Sequence, residues 1–358
     1  MNSSRRLNLR CQIDGHSAWG RVSQMAVSYL TYQGLHVDVR PTVSSAHDDP
    51  AIPPKIRECF VKRPGPEPWE LLFHPPTTDP LAESRGKKIA WFTMWETNGL
   101  HPSYVEELNK ASLIMVPSFW NAGVFGAAGV TAPIEVLPLG INPDLFAFKP
   151  MSLDGPLIVK AAGQREVGGT RKMLPELVET WIAAFHDTPD VELHLKITPR
   201  CDLEDVWDDP RVTIRREDMK PEALARWLAS GHVFFSLSRG EGWGLWQQQA
   251  MSLGRPCVCP VYTALEMFMD RNNSFPVDFS FVPAQGIYDG SGIWMEPDRD
   301  SAISQLKWIY SNRDMVRSRG LLATESASRF TELRFAERLV KLLLKHGIID
   351  HAESGNTQ

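Results

Sequence analysis

The sequence predicts an α/β protein with two successive domains, each made of alternating strands and helices. Near the start, a strand over Leu7–Ile13, a helical pattern and a second strand over Leu35–Val39 form a βαβ opening. A second alternating pattern begins with the strand-like run Leu157–Ala161. Two prolines and a glycine separate the patterns over residues 148–156, which predicts a linker between the domains.

The first domain is predicted over residues 1–150. Residues 41–69 are rich in Pro, Ser, Asp and Lys, and they predict a long loop without clear elements over the edge of the sheet. The remaining apolar runs and helical patterns predict strands at 70–73, 88–93, 112–116 and 134–137 and helices near 103–111 and 119–128.

The second domain is predicted over residues 151–330. Apolar residues recur at helical spacing from Leu174 to Phe185 and predict an amphipathic helix. Further strands are predicted at 191–197, 212–214, 232–237 and 256–259, and further helices near 221–230, 301–311 and 332–346. Residues 331–358 are predicted as a C-terminal helix, which can cross back to the first domain, and a frayed tail.

The stretch that carries the chemistry lies in the second domain. His232–Leu237 is a short apolar run that predicts a buried strand, and a helical pattern follows up to a stop at Gly254. Three glycines surround one acid in the turn between them, namely Gly240, Gly242 and Gly244 around Glu241. A strand, a glycine turn and a helix direct free N–H groups and the helix dipole at an anion. Because such a turn opens at the carboxyl ends of parallel strands, Glu241 is predicted at the mouth of a cleft.

These residues resemble the nucleotide-sugar motif of retaining GT-B glycosyltransferases, of the family 4-like or group 1 type. That family has a pattern similar to GEGFGLPxxEAMAxGxP, and this chain reads GEGWGLWQQQAMSLGRP over residues 240–256. Glu241 matches the first glutamate, whereas Gln249 stands in place of the second. The runs 111–120 and 136–146 extend the resemblance to the segment that closes the family's first domain. The resemblance implies a GT-B fold, with two facing Rossmann-like domains and a cleft between them.

The resemblance also assigns a donor site to the second domain. It implies that Glu241 contacts the transferred sugar, together with the backbone of Gly242, Trp243, Gly244 and Leu245. Arg165 and Lys172 match the family's diphosphate-binding Arg and Lys, and Arg171 can replace Lys172 because the loop is lengthened. The alternative for these cations is an ordinary solvated basic loop.

Gln249 stands at the position that binds the ribose in the family. Its amide can accept a hydrogen bond from one ribose hydroxyl and donate one to the other. A neutral amide lacks the charge of a glutamate carboxylate, so the hydrogen bonds to the ribose lose charge assistance, which costs about 1–2 kcal/mol of binding free energy. The sequence therefore predicts a weakened or retuned donor site.

The acceptor side is predicted in the first domain. His74, at the end of a strand, is a second catalytic candidate beside Glu241, for proton transfer or for orienting the acceptor. Glu96 and Asn98 follow another strand and are candidates for reading the acceptor. Gly20 is a candidate for backbone approach to a donor phosphate. A structural histidine before two prolines and a simple turn before a helix are the alternatives for His74 and Gly20.

No metal and no cofactor other than the co-substrate, a UDP- or GDP-linked sugar, are expected. Asp298–Asp300 is the one Asp-x-Asp in the chain, and it precedes apolar residues at helical spacing. This pattern predicts a helix start with Asp as the N-cap rather than a pair of metal ligands.

The composition argues against several classes of protein. The chain of 358 residues is 43% hydrophobic and 23% charged, as in soluble globular proteins. A net charge of −5, with basic residues no more than paired, predicts no stable binding to duplex nucleic acid. The five cysteines lack metal-ligand spacing, so a reduced, cytoplasmic setting is predicted. No apolar run approaches the length of a transmembrane segment.

The sequence thus predicts a hexosyltransferase of class EC 2.4, which moves a hexose from a nucleotide sugar to a glycan, lipid-linked or small-molecule acceptor. Retention of configuration and independence of metal are implied by the resemblance. Two alternatives stay open. One is a catalytically silent nucleotide-sugar-binding or scaffold protein, because the second glutamate is replaced. The other is a transferase acting on a modified DNA base, because a transient, base-flipping encounter needs no basic stripe.

Overall fold

The computed structural model describes residues 6–15, 17–77, 84, 86–164, 171–199, 201, 203, 207–288 and 290–350. The chain divides into two compact units. The first comprises Met1–Trp95, Pro102–Gly140 and Glu332–Gln358, and the second comprises Glu96–His101 and Ile141–Thr331. The segment Glu96–His101 therefore belongs to the second unit, although it lies within the first half of the chain.

The described elements alternate as an α/β protein requires. The strands are β1 (Arg6–Cys11), β2 (His36–Pro41), β3 (Trp69–Phe73), β4 (Lys88–Phe92), β5 (Leu113–Val116), β6 (Ile134–Val136), β7 (Leu157–Gly163), β8 (Val191–Ile197), β9 (Val212–Arg216), β10 (Val233–Phe235), β11 (Cys257–Cys259), β12 (Phe275–Pro276), β13 (Phe279–Pro283) and β14 (Ile293–Pro297). The helices are α1 (Ala18–Tyr32), α2 (Pro54–Arg57), α3 (Pro102–Leu108), α4 (Phe119–Ala127), α5 (Leu174–Ala184), α6 (Pro221–Ala229), α7 (Leu245–Ser252), α8 (Arg299–Ser311), α9 (Arg313–Ala327) and α10 (Glu332–Lys345).

Each unit is built around a parallel sheet of six described strands. The order in the first unit is β2-β1-β3-β4-β5-β6, and in the second unit it is β12-β11-β10-β7-β8-β9. Strands covered by helices on both faces are continuously apolar, and Leu71–Phe73 and Leu113–Val116 are fully buried in this way. The predicted α/β class is confirmed.

The prediction that residues 41–69 contain no element is wrong. A 3₁₀ turn covers Ser44–Asp48, α2 follows, and Phe60 forms an isolated parallel bridge with Val39. Pro53 and Pro54 read as breakers in the sequence. Pro54, however, is the first residue of α2, where a proline has no hydrogen bond to lose and its fixed φ suits the helix.

The antiparallel pair β13–β14 and helix α9 are absent from the sequence prediction. Helix α9 carries a glycine in its middle, which weakens a helical pattern. The structure explains that glycine, because a Cβ on Gly320 would lie 2.3 Å from the carbonyl oxygen of Gly254. Glycine is required at position 320, despite its low helix propensity, because α9 lies so close to the backbone that follows α7.

One face of the second sheet carries a row of interacting polar side chains, of which Lys160 is buried. Lys160 on β7 is 2% exposed, and its Nζ lies 2.8 Å from Nδ1 of His194 on β8. Nε2 of His194 lies 2.8 Å from a carboxylate oxygen of Glu192, and the Lys160 ammonium lies over the ring of Trp227 on α6, 5.0 Å from its centroid. Burial, and then the charge of Arg215 on β9, lower the pKa of Lys160 to about 8, against the opposing effect of Glu192.

This depressed pKa predicts a dependence of stability on pH. Between about pH 8 and 10.5 the unfolded chain binds a proton at Lys160 that the folded chain has lost, so stability rises with pH. Relative to Lys160→Met, the wild type should gain up to about 3 kcal/mol of unfolding free energy over this range. Urea denaturation of both proteins at several pH values measures the difference, and parallel curves would contradict the assignment.

Candidate functional site

The glycine turn that follows β10 is closely packed. Gly244, the N-cap of α7, has φ +91°, in the left-handed region that favours glycine. A Cβ on Gly240 would lie 2.1 Å from the carbonyl oxygen of Glu96. At least these two glycines are therefore required by the protein's own backbone, whatever the turn binds.

Glu241, inside this turn, is paired with the two cations that precede α5. Lys172 Nζ lies 2.5 Å from Oε1 of Glu241, and Arg171 Nη1 lies 3.7 Å from Oε2. The Arg171 guanidinium also donates to the carbonyl oxygen of Gly240 at 2.8 Å. The backbone N–H of Arg239 donates to the carbonyl oxygen of Arg171, also at 2.8 Å, so the two segments are tied together by backbone as well as by charge.

The Glu241 carboxylate is ionised and buried. Burial acts to raise its pKa, but the charges of Lys172 and Arg171 and the hydrogen bonds from Lys172 and Ser238 outweigh burial, and the pKa lies below its ordinary value. The side chain is only 9% exposed. The two cations lie against this carboxylate, and the position of Glu241 at the mouth of a cleft stays a prediction.

Two strained residues flank the same acid. Among the described residues, Met173 and Thr263 are the non-glycine residues with positive φ, at +46° and +61°. Met173 directly follows Lys172, and Thr263 Oγ1 accepts a hydrogen bond from the Glu241 N–H at 3.3 Å. Such conformations cost about 1–3 kcal/mol each and concentrate at functional sites. Their position on both sides of Glu241 marks this acid as the centre of a candidate site.

Three consecutive glutamines at the start of α7 have different surroundings. Gln248 is fully buried and satisfied, since Oε1 accepts from the Trp243 indole at 2.7 Å and Nε2 donates to the carbonyl oxygen of Phe330 at 3.0 Å. Gln247 donates to Glu241. Gln249, at the predicted ribose position, is 6% exposed, and its side chain forms no hydrogen bond with another described residue.

The side chain of Trp243 is part of the core. It is 2% exposed, and its ring packs against Phe268 and Phe330 at centroid distances of 5.4 and 5.3 Å. Trp243 belongs to the predicted sugar-binding stretch, but its side chain holds the turn to the rest of the unit. It leaves only the backbone at this position for a ligand.

Glu96 and Asn98 were predicted on the acceptor side of the first domain, and this placement is wrong. They lie in the second unit, where the Glu96 carboxylate accepts from the Tyr288 hydroxyl at 3.1 Å. The Arg171 guanidinium lies 5.9 Å from the centroid of that tyrosine ring. Asn98 exchanges hydrogen bonds with the backbone of Ile293, so its amide oxygen already has a partner. The segment packs beside the glycine turn, which the sequence pattern did not reveal.

His74 and Gly20 lie in the first unit. Burial lowers the pKa of His74, so the ring is neutral at pH 7; Nδ1, 2.9 Å from the carbonyl oxygen of Pro75, then carries the proton. Its Nε2 is thereby left as the basic nitrogen. Gly20 is in α1, where its N–H donates to Ser17 Oγ at 2.9 Å and a Cβ would lie 2.2 Å from the Asp14 carbonyl oxygen. A close approach within the protein accounts for this glycine.

Arg165, the remaining predicted phosphate ligand, lies outside the described residues. Within the described ranges, no group of three His, Cys, Asp or Glu side chains has the arrangement of a metal site. Asp298 is the N-cap of α8, as predicted, and accepts from Ser301 N–H at 2.7 Å. None of the helices in the described part of the chain combines the length and the apolar character needed to cross a bilayer.

Comparison with known proteins identifies the fold. No protein-family model matches this sequence, and no curated protein is similar to it in sequence. Among solved structures, it is similar to a sucrose-phosphate synthase from Thermosynechococcus elongatus, with 16% identity, a TM-score of 0.70, and coverage of 96% of this chain and 99% of that chain. It is also similar to Anabaena HepE in complex with UDP-glucose, with 12% identity, a TM-score of 0.69, and coverage of 95% and 100%.

A third similar structure is the pneumococcal O-GlcNAc transferase GtfA in complex with UDP and GlcNAc. The identity is 13% and the TM-score 0.58, over 78% of this chain and 56% of that chain. These neighbours are GT-B glycosyltransferases. At such identities the likeness establishes the fold, which is GT-B, as the sequence motif predicted.

The pairing of Glu241 with Lys172 yields a stability prediction. Lys172→Met removes the shorter of the two ion pairs of Glu241 and leaves Arg171 as its remaining cation, so the unfolding free energy at pH 7 should fall by about 2 kcal/mol. Glu241→Gln introduced into the Lys172→Met protein should restore part of this loss. Denaturation of the wild type, both single variants and the double variant gives the coupling energy. Additive effects would show that the two side chains do not interact.

Proposed function

We propose that this protein is a glycosyltransferase that transfers a hexose from a nucleotide sugar to an acceptor. The observation that carries the proposal is the buried, ionised Glu241 in a glycine turn of a GT-B fold, in contact with two cations. Retention of configuration and independence of metal are part of the proposal, and both rest on the resemblance of residues 240–256 to the retaining family.

The chemistry of a sugar nucleotide suits this arrangement. Negative charge builds up on the diphosphate as the bond to the sugar breaks, and preorganised cations lower the energy of that state. Lys172 and Arg171 both face the Glu241 carboxylate, whose single negative charge offsets only one of their two positive charges. A bound diphosphate would compete for the same cations, and it would release the carboxylate oxygens to accept hydrogen bonds from sugar hydroxyls.

The proposal assigns further roles in the donor site. The backbone of residues 242–245 faces the sugar and phosphate, Gln249 binds the ribose, and Arg165 adds to the phosphate-binding cations. The amide of Gln249 lacks a side-chain partner among the described residues, so it is not engaged elsewhere in that part of the protein. A UDP-linked hexose is the first candidate, because HepE and GtfA were solved with UDP-glucose and with UDP and GlcNAc, and a GDP-linked sugar is the second.

The proposed acceptor role rests on His74. Its neutral ring has Nδ1 close to the carbonyl oxygen of Pro75, and this contact fixes Nε2 as the nitrogen that can accept a proton. We propose that Nε2 takes part in proton transfer from the acceptor or orients its hydroxyl. Glycans, lipid-linked sugars and small molecules all present such a hydroxyl, and they remain the proposed acceptor classes.

A screen of nucleotide sugars by thermal shift identifies the donor. A ligand that binds only the folded protein stabilises it by about 2.7 kcal/mol at a concentration of one hundred times Kd. We expect UDP-glucose or another UDP-hexose to raise the melting temperature by several degrees, with free hexose as the control. No shift with any UDP- or GDP-linked sugar would contradict the proposed donor site.

Removal of the carboxylate tests its role in turnover. Glu241→Gln keeps the size of the side chain, and it should lower donor hydrolysis and transfer at least a hundredfold while the protein stays folded by circular dichroism. Glu241→Ala should abolish transfer. Glu325→Ala, which removes an exposed carboxylate of the same unit, is the control. Full turnover by Glu241→Gln would overturn the assigned role, and an intact nucleotide sugar with the wild type would favour the silent binding protein.

Restoration of the second glutamate tests the ribose position. Gln249→Glu replaces a neutral hydrogen bond by a charge-assisted one, so donor affinity should be kept or should rise by up to about tenfold. Isothermal titration with UDP measures the change, since UDP contains the ribose without the sugar. A marked loss of UDP affinity would contradict a hydrogen bond from this carboxylate to the ribose, because it would show repulsion of the diphosphate instead.

A further inference from the structure

Gln247 is a buried amide that contacts the central acid, although the sequence motif assigns it no role. It lies in the first turn of α7 and is 2% exposed. Its Nε2 donates to Oε1 of Glu241 at 3.3 Å and lies 3.4 Å from the Ser236 hydroxyl. Lys172 Nζ binds the same Oε1. One carboxylate oxygen is thus shared between a cation and a neutral amide.

This contact has an energetic cost. Oε1 of Gln247 is buried and has no hydrogen-bond partner among the described residues. An unsatisfied buried acceptor costs about 1–3 kcal/mol. The reverse orientation of the amide would bring its oxygen against the Glu241 carboxylate, where two acceptors repel. The observed orientation therefore keeps the hydrogen bond to Glu241 and leaves the amide oxygen of Gln247 without a partner among the described residues.

The neighbouring glutamine shows the opposite arrangement. Both polar atoms of Gln248 are hydrogen-bonded, to Trp243 and to the backbone of Phe330, and its contacts hold the turn to the core. A glutamine with purely structural contacts on this helix is therefore fully satisfied, and Gln247 is not. The contact of Gln247 with Glu241 thus carries a cost in stability that the contacts of Gln248 do not.

We propose that Gln247 is a positioning residue for the transfer reaction, which keeps the Glu241 carboxylate oriented when a donor diphosphate draws Lys172 away. This inference rests on the proposed function. The amide carries no charge, so a diphosphate does not attract it away from Glu241 as it attracts Lys172. It stays on Oε1, and the other carboxylate oxygen is left for the sugar hydroxyls.

Gln247→Met separates positioning from stability. Methionine has a similar length and removes both the contact and the unsatisfied oxygen, two changes with opposite effects on stability, so the melting temperature should change little. With UDP-glucose as the probe, kcat for donor hydrolysis should fall about tenfold and KM should change less than threefold. Gln248→Leu, the matched control, should lower the melting temperature, because it leaves the Trp243 indole without its acceptor. A lower melting temperature together with unchanged kcat in Gln247→Met would overturn the proposal.

Gln247→Glu supplies a second readout. Two carboxylates about 3 Å apart cannot both ionise easily, so the pair should take up a proton at higher pH than Glu241 does alone. The acid limb of the profile of kcat/KM against pH should move upward by at least one pH unit, and it should stay in place for Gln248→Leu. An unmoved acid limb in Gln247→Glu would contradict the contact.

A carboxyl titration distinguishes the failure of this inference from the failure of the proposed function. NMR of ¹³C-labelled glutamate in the ligand-free protein, with Glu241→Gln to assign the signal, follows this carboxylate without any substrate. Gln247→Met should raise its pKa, since a donor to the ionised form is lost. If the wild type turns over no nucleotide sugar, the proposed function fails and the titration still tests the contact. If the wild type is active and Gln247→Met changes neither kcat nor this titration, the positioning role alone fails.

Discussion

The ion pair between Glu241 and the cations before α5 is the interaction on which the second unit's candidate site depends. The carboxylate, which is 9% exposed, stays ionised because Lys172 and Arg171 are within 2.5 and 3.7 Å of it and because neighbouring side chains donate hydrogen bonds to it. The same contacts bring the start of α5 against the turn before α7. Under the proposed function, a donor diphosphate would take the place of Glu241 as the partner of these cations.

The backbone around this pair is held in conformations that isolated chains avoid. Met173 and Thr263 have positive φ, and Gly240 approaches the Glu96 carbonyl oxygen too closely for any side chain. Trp243 and Gln248 fix the turn to the aromatic core of the unit. This local strain is balanced by extensive burial, and it gives the acid and the cations one defined geometry before any ligand binds.

The run Gln247–Gln249 shows how one residue type serves different purposes within a single turn of helix. Gln248 stabilises the turn, Gln247 contacts the acid, and the buried side chain of Gln249 forms no hydrogen bond with the described part of the protein. Successive helical residues point in directions about 100° apart, so neighbours in sequence face different surroundings. Gln249, which the motif resemblance aligns with a glutamate, therefore has surroundings different from those of Gln247 and Gln248.

The sequence by itself determined the α/β class, the succession of parallel strands, the helix start at Asp298 and the position of Glu241 in a glycine turn behind a strand. These features follow from local patterns: apolar periodicity, capping residues and a glycine turn behind a strand. The tertiary structure alone decided that Glu96 and Asn98 pack beside the glycine turn, that Arg171 and Lys172 cover the acid, and that Gln247 contacts it. Each of these contacts joins residues whose relation depends on how distant elements pack, or on which side of α7 faces the turn. Sequence spacing carries no such information, because the energies that select these contacts are those of burial and of charge pairing in the folded chain.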